Sequence, residues 1–456
     1  MQSGGRTWDP NTGTWWSAAS YTRSPRRRNQ SQGAARNSGC AVLFVIAIAI
    51  LVIGSVASSG AGQATSNDYP DTPIVVFGDN NGGNGIVVPP MPVFQGQPDP
   101  SFVPATVPSV DPLVATGGLI QARADHTATL LADGRVLIAG GTDGTAPMAT
   151  AEVFDPARGN FAETGRMMDS RWLHTATILP GGRVLVAGGV GADNKPLAAA
   201  EIFDPSTGKF AATGPMSTPR QDAAAVSLLD GKILVIGGHD GTKQLDSAEV
   251  YDPATSKFSP TGRMIEPRES LTASLLNDGR VLVAGGKNMF GVLSTTEIYD
   301  PARGSFAAGG QMSVERTRAA AVTVPDGRVF IIGGGDRTGL ATDSVDVLDP
   351  KMTGLEWTMS LIIARANETA TLTPLGAVLI VGGTNDSGMP VDVVERLDPV
   401  SGQTESLGRM ANPRSGHTAT LLRNGTVLIA GGEDAQQSVT AEAALYVAEA
   451  GAVESP

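Results

Sequence analysis

Arginine and carboxylate side chains recur at fixed places through most of this 456-residue sequence. An arginine precedes each of seven Gly-Gly pairs by 17 residues, and an acidic residue follows each pair. The arginines are Arg123, Arg171, Arg220, Arg268, Arg316, Arg365 and Arg414, and the acidic residues are Glu152, Glu201, Glu249, Glu297, Asp346, Glu395 and Glu442. Because the combination recurs seven times, we interpret it as a ring of structural ion pairs. The alternative is a polyanion held by several of the arginines.

Histidine and cysteine give little indication of catalysis or metal binding. His126, His174 and His417 share one position of the repeat, which favours a packing role, whereas His239 stands alone in the loop sequence GGHDGT. Cys40 is the single cysteine, so the chain forms no internal disulfide and no cysteine zinc site. The sequence has no G-x-S-x-G, H-E-x-x-H or P-loop pattern. We predict no catalytic residues, no metal and no cofactor.

The elements that position these side chains repeat every 48 or 49 residues. Each copy contains four strand-like pieces, represented by HTATLL, GRVLIAGG, AEVFD and FAETGRM. A DG, GG or NG pair between the first two pieces predicts a two-residue type I′ hairpin turn. Four antiparallel strands cannot bury both of their faces alone, but seven such units stacked around an axis can. The sequence therefore predicts an all-β, seven-bladed β-propeller.

These repeats resemble the kelch family. The resemblance depends on the R-x-x-H-T-A-T phrase, the Gly-Gly pair after an apolar strand and the Y/F-D-P phrase with a following aromatic residue. It covers residues 113–448 and implies that the HTATLL strand is innermost and the FAETGRM strand outermost. The seventh copy lacks its fourth strand, while a lone fourth strand, LVATGGL (Leu113–Leu119), precedes the first copy. We therefore expect this N-terminal strand to complete the seventh blade.

Some kelch propellers are copper radical oxidases similar to galactose oxidase. That chemistry needs a Tyr–Cys crosslink with further tyrosine and histidine ligands. The predicted propeller has no cysteine, and its tyrosines, Tyr251, Tyr299 and Tyr446, lie in repeat strands. The sequence therefore excludes the oxidase.

The residues outside the predicted propeller fall into segments of different composition. Residues 1–39 carry six arginines against one aspartate, although the whole chain has a net charge of −12. We predict a disordered basic cytoplasmic arm at 1–39, a transmembrane helix at 40–57, a flexible Gly/Pro/Asn-rich stalk at 58–112 and a short tail at 449–456. The acidic body argues against nucleic-acid binding. The arm contains WDPNTGTWW, either a small interaction motif or disordered sequence, and we favour disorder.

The predicted location is the plasma membrane, which a single anchor spans with the N-terminus in the cytoplasm and the propeller outside. The alternative is a secreted protein cleaved near Ala57, since Ser55-Val56-Ala57 fits a signal-peptide cleavage site.

Departures from the repeat indicate where a ligand could bind. The resemblance implies that loops between second and third strands, and between fourth and first strands, surround one mouth of the central channel. Non-repeat candidates there are Trp172, His239, Asp240, Lys287, Asn288, Phe290, Arg337 and Asn385. We predict a monomeric binding module for a protein or a glycan. The alternative is a carbohydrate-active enzyme that uses the channel mouth.

Overall fold

The structure is a computed structural model that describes residues 6–9, 14–17, 111–349, 351 and 354–447. Regular secondary structure in these residues consists entirely of β-strands. Within the described ranges, no helix has the length and hydropathy needed to cross a membrane. The predicted anchor at 40–57, nearly all of the predicted stalk and the tail at 449–456 lie outside the described residues.

Two short strands pair near the N-terminus. Strand β1 (Arg6–Asp9) lies antiparallel to β2 (Thr14–Ser17), with Trp8 directly opposite Trp15. The other residues of the predicted arm at 1–39 lie outside the described residues.

The remaining strands form seven four-stranded antiparallel sheets, the blades, and begin with β3 (Leu113–Ala115). Blade 1 contains β4 (Thr127–Leu130), β5 (Val136–Ala139), β6 (Ala151–Asp155) and β7 (Asn160–Glu163). Blade 2 contains β8 (Thr175–Ile178), β9 (Val184–Ala187), β10 (Ala200–Asp204) and β11 (Lys209–Ala212). Blade 3 contains β12 (Ala224–Ser227), β13 (Ile233–Ile236), β14 (Ser247–Asp252) and β15 (Lys257–Arg263).

Blade 4 contains β16 (Thr272–Leu275), β17 (Val281–Ala284), β20 (Thr295–Asp300) and β21 (Ser305–Gln311), with a small hairpin of β18 (Lys287–Asn288) and β19 (Gly291–Val292) in its loop. Blade 5 contains β22 (Ala320–Thr323), β23 (Val329–Ile332), β24 (Thr342–Leu348) and β25 (Leu355–Arg365). Blade 6 contains β26 (Thr369–Leu372), β27 (Val378–Val381), β28 (Val393–Leu397) and β29 (Thr404–Arg409). Blade 7 contains β30 (Thr418–Leu421), β31 (Val427–Ala430) and β32 (Ala443–Tyr446), together with β3.

The core lies between blades. The first strands of neighbouring blades contact one another around the axis, and each second strand is a run of four aliphatic or aromatic residues buried along its whole length. A sheet covered on both faces favours such continuous apolar runs over alternation. Each cluster joins two blades, as where Leu137 of blade 1 packs with Val184 and Phe203 of blade 2.

The third and fourth strands of blades 1 to 4 face each other through an aromatic pair. Ring centroids in these pairs are 4.8–4.9 Å apart, within the range that stabilises tilted aromatic contacts. The pairs are Phe154–Phe161, Phe203–Phe210, Tyr251–Phe258 and Tyr299–Phe306.

The turn between first and second strands corrects the type I′ prediction. In blade 1 the connection has three residues, Ala132, Asp133 and Gly134, and of these only Gly134 has a positive φ, at 90°. The Gly134 amide donates to the Leu131 carbonyl (3.0 Å), and the Asp133 carboxylate accepts from the Arg135 amide (3.0 Å). This pattern is a type I turn followed by a glycine bulge, which the aspartate favours by folding back on its own backbone.

The seventh blade is closed by the N-terminal strand, as the sequence predicts. Leu113 pairs with Tyr446, Val114 with Leu445 and Ala115 with Ala444. Beyond this strand the Leu119 amide donates to the Ala441 carbonyl (2.7 Å), and the Leu119 side chain is buried between blades 7 and 1. Residues 113–119 therefore contribute strand hydrogen bonds to blade 7 and a buried side chain to the core between blades 7 and 1.

Removal of residues 113–119 should open the ring. We expect lower thermal stability and aggregation, because β32 becomes an exposed edge and the core loses Leu119. Differential scanning fluorimetry with size-exclusion chromatography measures both effects. The control is Val114→Thr, whose side chain is largely exposed and whose cost should stay within about 0.5 kcal/mol. A deletion variant that melts like the intact protein would contradict the closure.

Candidate functional site

The repeated arginines and carboxylates lie together within single blades. In blade 1, Arg123 Nη2 is 2.7 Å from Glu152 Oε1, and both side chains are buried. Arg123 Nη1 donates to the carbonyls of Gly140 (2.7 Å) and Thr150 (3.1 Å). Glu152 also accepts the backbone amide of Ile120 (2.7 Å), so the pair connects two loops to the third strand.

The other six blades repeat this arrangement with small differences. Five pairs have N–O distances of 2.8–3.1 Å, and Arg365 contacts Glu395 in the sixth. In blade 7, Glu442 is half exposed, and Asp111 next to the closing strand accepts the amide of Ala411 (2.8 Å). Burial lowers the pKa of Arg414 while Glu442 and Asp111 oppose that change. The closing segment thus contributes a carboxylate as well as a strand.

Removal of one partner from a buried pair should be costly. We expect Arg220→Ala to lower the free energy of unfolding by about 3–5 kcal/mol, because Glu249 would stay buried without its counter-charge. The matched control is Arg263→Ala in the Arg263–Asp246 pair, where the arginine side chain is 64% exposed and the cost should stay below about 1 kcal/mol. Urea denaturation of both variants measures the difference. Equal urea denaturation midpoints for the two variants would contradict a structural role for the buried pair.

A ring of seven left-handed residues surrounds the axis at the start of the first strands. Each lies two residues before its strand and has φ between 50° and 62°. The residues are Asp125, Leu173, Asp222, Ser270, Arg318, Asn367 and Gly416. Amide-to-carbonyl hydrogen bonds of 2.9–3.2 Å run from one blade to the next, for example from Ser270 to Asp222 and from Arg318 to Ser270. We call this set the axial ring.

Side chains of the axial ring bring charges together. Burial, with smaller contributions from Glu433 and Asp222, raises the pKa of Asp125 to about 7, and Arg318 opposes the rise. The Ser270 hydroxyl donates to the Asp222 carboxylate. The sequence analysis missed this ring because its side chains differ between blades; the signal was a variable position two residues after each repeated arginine.

Beside the axial ring, histidine links neighbouring blades. His174 Nε2 lies 3.0 Å from the Thr127 hydroxyl of the preceding blade, and His126 and His417 have equivalent contacts with Thr418 and Thr369. Burial, followed by the charge of Arg171, lowers the pKa of His174 to about 3. These histidines are therefore neutral at pH 7 and bridge blades.

In blade 6 the histidine position holds a carboxyl group. Glu368 is buried, one of its oxygens accepts the Ala320 amide (3.3 Å), and Oε2 has no partner among the described residues. Burial raises the pKa of Glu368 to about 8, although its own amide and then Arg365 oppose the rise. The carboxyl group is therefore protonated at neutral pH.

Glu368→Gln should change how stability depends on pH. The folded-state pKa of about 8 exceeds the unfolded value of 4.5, so the folded protein binds one proton more between these values. Wild-type stability therefore falls as pH rises through that window, by up to about 1.4 kcal/mol per pH unit. The increase in the free energy of unfolding of the glutamine variant over wild type should be absent below pH 4.5, grow with pH and become constant above pH 8. Thermal melts across pH with the exposed Glu163→Gln as control check this; a pH-independent difference contradicts it.

Seven of the eight candidates from sequence lie in loops between second and third strands, Trp172 lies between a fourth and a first strand, and four of the eight bond within their own loops. Asp240 accepts the amides of Thr242 and Lys243 (2.8 and 2.9 Å). His239 Nδ1 accepts the Gly241 amide, Asn288 Oδ1 the Phe290 amide and Asn385 Oδ1 the Ser387 amide, at 2.8–2.9 Å. Arg337 pairs with Glu315 (2.5 Å) and Lys287 approaches Glu269 (3.7 Å). Trp172 is half buried, and its backbone bridges to Val190.

Phe290 differs from the other candidates because its side chain is 87% exposed. It lies at the tip of the β18–β19 hairpin beside Met289, which is 78% exposed. Asn288 fixes the tip through its hydrogen bond to the Phe290 amide. A backbone-fixed hairpin therefore presents two large apolar side chains to solvent.

Two grooves lie away from this face, beside the outer strands. One is lined by Arg280, Asp300, Arg303 and Lys351, and the other by Arg183, Asp204, Lys209 and Ser256. Equivalent repeat positions line both grooves, which makes them products of blade packing. No group of three metal-ligating side chains occurs in the part of the chain that the structure describes.

Two family models match parts of the sequence. A family model for the KLHDC2/KLHL20/DRC7 Kelch-repeats domain matches residues 125–334, and a Kelch motif model matches residues 316–359. No curated protein sequence matches the chain.

Two solved structures share the fold. One is a fungal alcohol oxidase of the AA5 family in complex with copper, with a TM-score of 0.58, 18% identity and coverage of 75% of this chain and 76% of that one. The other is YjhT, with a TM-score of 0.50, 17% identity and coverage of 62% and 96%. At these identities the likeness establishes architecture alone. Copper radical chemistry needs a cysteine for its crosslink, and Cys40, outside the propeller, is the only one in the chain.

Proposed function

The chain belongs to the kelch-repeat family, and from that premise we propose that its propeller is a protein-binding scaffold that holds its partner on the loop face around the central channel. The Met289–Phe290 hairpin is the anchor in this proposal. The observation that carries it is the exposure of two adjacent large apolar side chains on a hairpin whose backbone is fixed. Exposed aromatic side chains of this kind dominate binding energy at protein interfaces.

Polar groups beside the anchor fit an interface rim. Lys287, on the same hairpin, lies 3.7 Å from Glu269, and both side chains keep some solvent access. The axial ring adds Asp222 and Arg318, of opposite charge. An apolar centre with a polar surround of mixed charge is typical of non-obligate protein interfaces.

Membrane attachment is part of the proposal. The uncharged segment at 40–57 would span the bilayer, with arginines of residues 1–39 on the cytoplasmic side and the propeller outside. The chain enters the propeller at the beginning of a fourth strand, the opposite end of the strand from the loops of the channel face. This order supports a propeller whose binding face points away from its attachment.

A photo-crosslinking residue at position 290 should capture the partner in intact cells that make the full-length protein. The matched control carries the same residue at Val400, which is 82% exposed on a turn between third and fourth strands. We expect one discrete crosslinked species from position 290 that is lost with Met289→Ser and is absent from position 400. Because the side chains of Met289 and Phe290 are both exposed, Met289→Ser should leave the melting temperature unchanged.

Equal crosslinking from both positions would contradict the proposal, as would a species that survives Met289→Ser. A glycan array probed with the same proteins separates a sugar ligand from a protein ligand. Saturable array binding that depends on Phe290, without any protein crosslink, would replace the protein partner with a glycan.

A further inference from the structure

The N-terminal hairpin has the sequence of a blade's outer half. Residues 6–17, RTWDPNTGTWWS, align without a gap on residues 201–212, EIFDPSTGKFAA, which form the third and fourth strands of blade 2. Asp-Pro and Thr-Gly occupy the same places in both segments, and Trp8 and Trp15 match Phe203 and Phe210. This segment precedes the propeller and is not one of its seven copies.

The strand register is also the same. Trp8 pairs with Trp15 and Asp9 with Thr14, while in blade 2 Phe203 pairs with Phe210 and Asp204 with Lys209. The two remaining residue pairs of each hairpin also match in register, with no bulge in either hairpin. Register is specific to a single residue in such hairpins, and the shared register gives Trp8 and Trp15 the positions that the aromatic pair of a blade occupies.

Among the described strands, none pairs with the second edge of β1, whereas every blade provides such a neighbour. In each blade the other edge of the third strand pairs with a second strand made of four buried apolar residues. In the described residues β1 and β2 form a sheet of only two strands. A two-stranded hairpin in water has marginal stability, and an open edge readily accepts another strand.

The seven blades identify the missing neighbour. Blade 2 pairs Phe203 with Val184 and Ile202 with Leu185, so the equivalent Trp8 and Thr7 of β1 would face two aliphatic residues. The second strands of the propeller are already paired on both edges, and the ring is closed by β3. Among the described residues, no second strand of the propeller is therefore available to β1.

We propose that β1 and β2 are the counterpart of the outer hairpin of a kelch blade and that the edge of β1 away from β2 binds an extended aliphatic strand of a partner protein. Backbone hydrogen bonds provide the affinity, and aliphatic residues opposite Thr7 and Trp8 provide the selectivity, as in other cases of β-strand addition. This site is separate from the channel face and does not depend on the function proposed for it.

A peptide with the sequence of Arg183–Gly189, RVLVAGG, serves as the probe because it is this chain's own second strand. Fluorescence anisotropy of the labelled peptide with the full-length protein in detergent should show saturable binding. Trp8→Ala combined with Trp15→Ala should weaken binding about 10-fold, because these residues occupy the register position of the aromatic pair in blade 2. Trp8→Phe combined with Trp15→Phe, which reproduces the pair of blade 2, should restore it.

The matched control is Trp16→Ala, because Trp16 pairs with Thr7 and is one register position away from the Trp8–Trp15 pair. It should change binding by no more than about 2-fold. A probe in which lysine replaces Leu185 should not bind. Absence of saturable binding, equal binding after deletion of residues 6–17, or equal losses from Trp16→Ala and from the double alanine variant would each overturn the proposal. Binding that persists in a Phe290→Ser variant separates this site from the channel face.

Discussion

The whole channel face depends on the buried contact between an arginine and a carboxylate in each blade. A guanidinium group loses much of its hydration when it enters a protein, so it must find acceptors on several sides. Arg123 has three of them, in Glu152 and the carbonyls of Gly140 and Thr150. Those acceptors belong to the third strand and to the loop between second and third strands. The contact thereby fixes both loops that reach the axis.

Fixed loops explain why the axial ring tolerates different side chains. Left-handed backbone is costly for a residue such as Leu173, and it persists only where its surroundings impose it. The Arg–carboxylate contacts and the amide-to-carbonyl bonds between blades provide that constraint, and neither uses a side chain of the axial ring. Asp125, Arg318 and Asn367 can then occupy equivalent places without a change of fold. The side chains of the axial ring can therefore differ in charge and size between blades while the backbone of the ring stays the same.

Sequence reasoning succeeded wherever a residue type was constant across the repeats. The constant glycine pairs and Asp-Pro phrases predicted seven blades, and the unmatched Leu113–Leu119 predicted the closure, which the pairing of Leu113 with Tyr446 confirms. The turn type was wrong because a DG pair suits both a two-residue turn and the end of a three-residue turn. Only the backbone conformation of Asp133 distinguishes the two.

The candidate site was harder to predict because function in a repeat protein lies where the repeat varies. Sequence placed Phe290 and Asn288 on the same loop, but only the structure separates a side chain that fixes the hairpin from one that faces solvent. Asp240 and Asn385 had equally plausible types for ligand contact, yet their acceptor atoms bind their own loop amides.

A closed ring also limits where this chain can bind a further strand. Every second strand pairs on both edges within its blade, and β3 supplies the outer strand of blade 7, so the propeller leaves no inner strand position free. In our proposal the propeller binds through loop tips instead, and the Met289–Phe290 hairpin presents two large exposed apolar side chains there. We propose strand addition for a segment that precedes the propeller, because β1 and β2 have the sequence and register of a blade's outer hairpin. Under the two proposals one repeat sequence serves two modes of recognition, through loop tips in the ring and through a strand edge in the N-terminal hairpin.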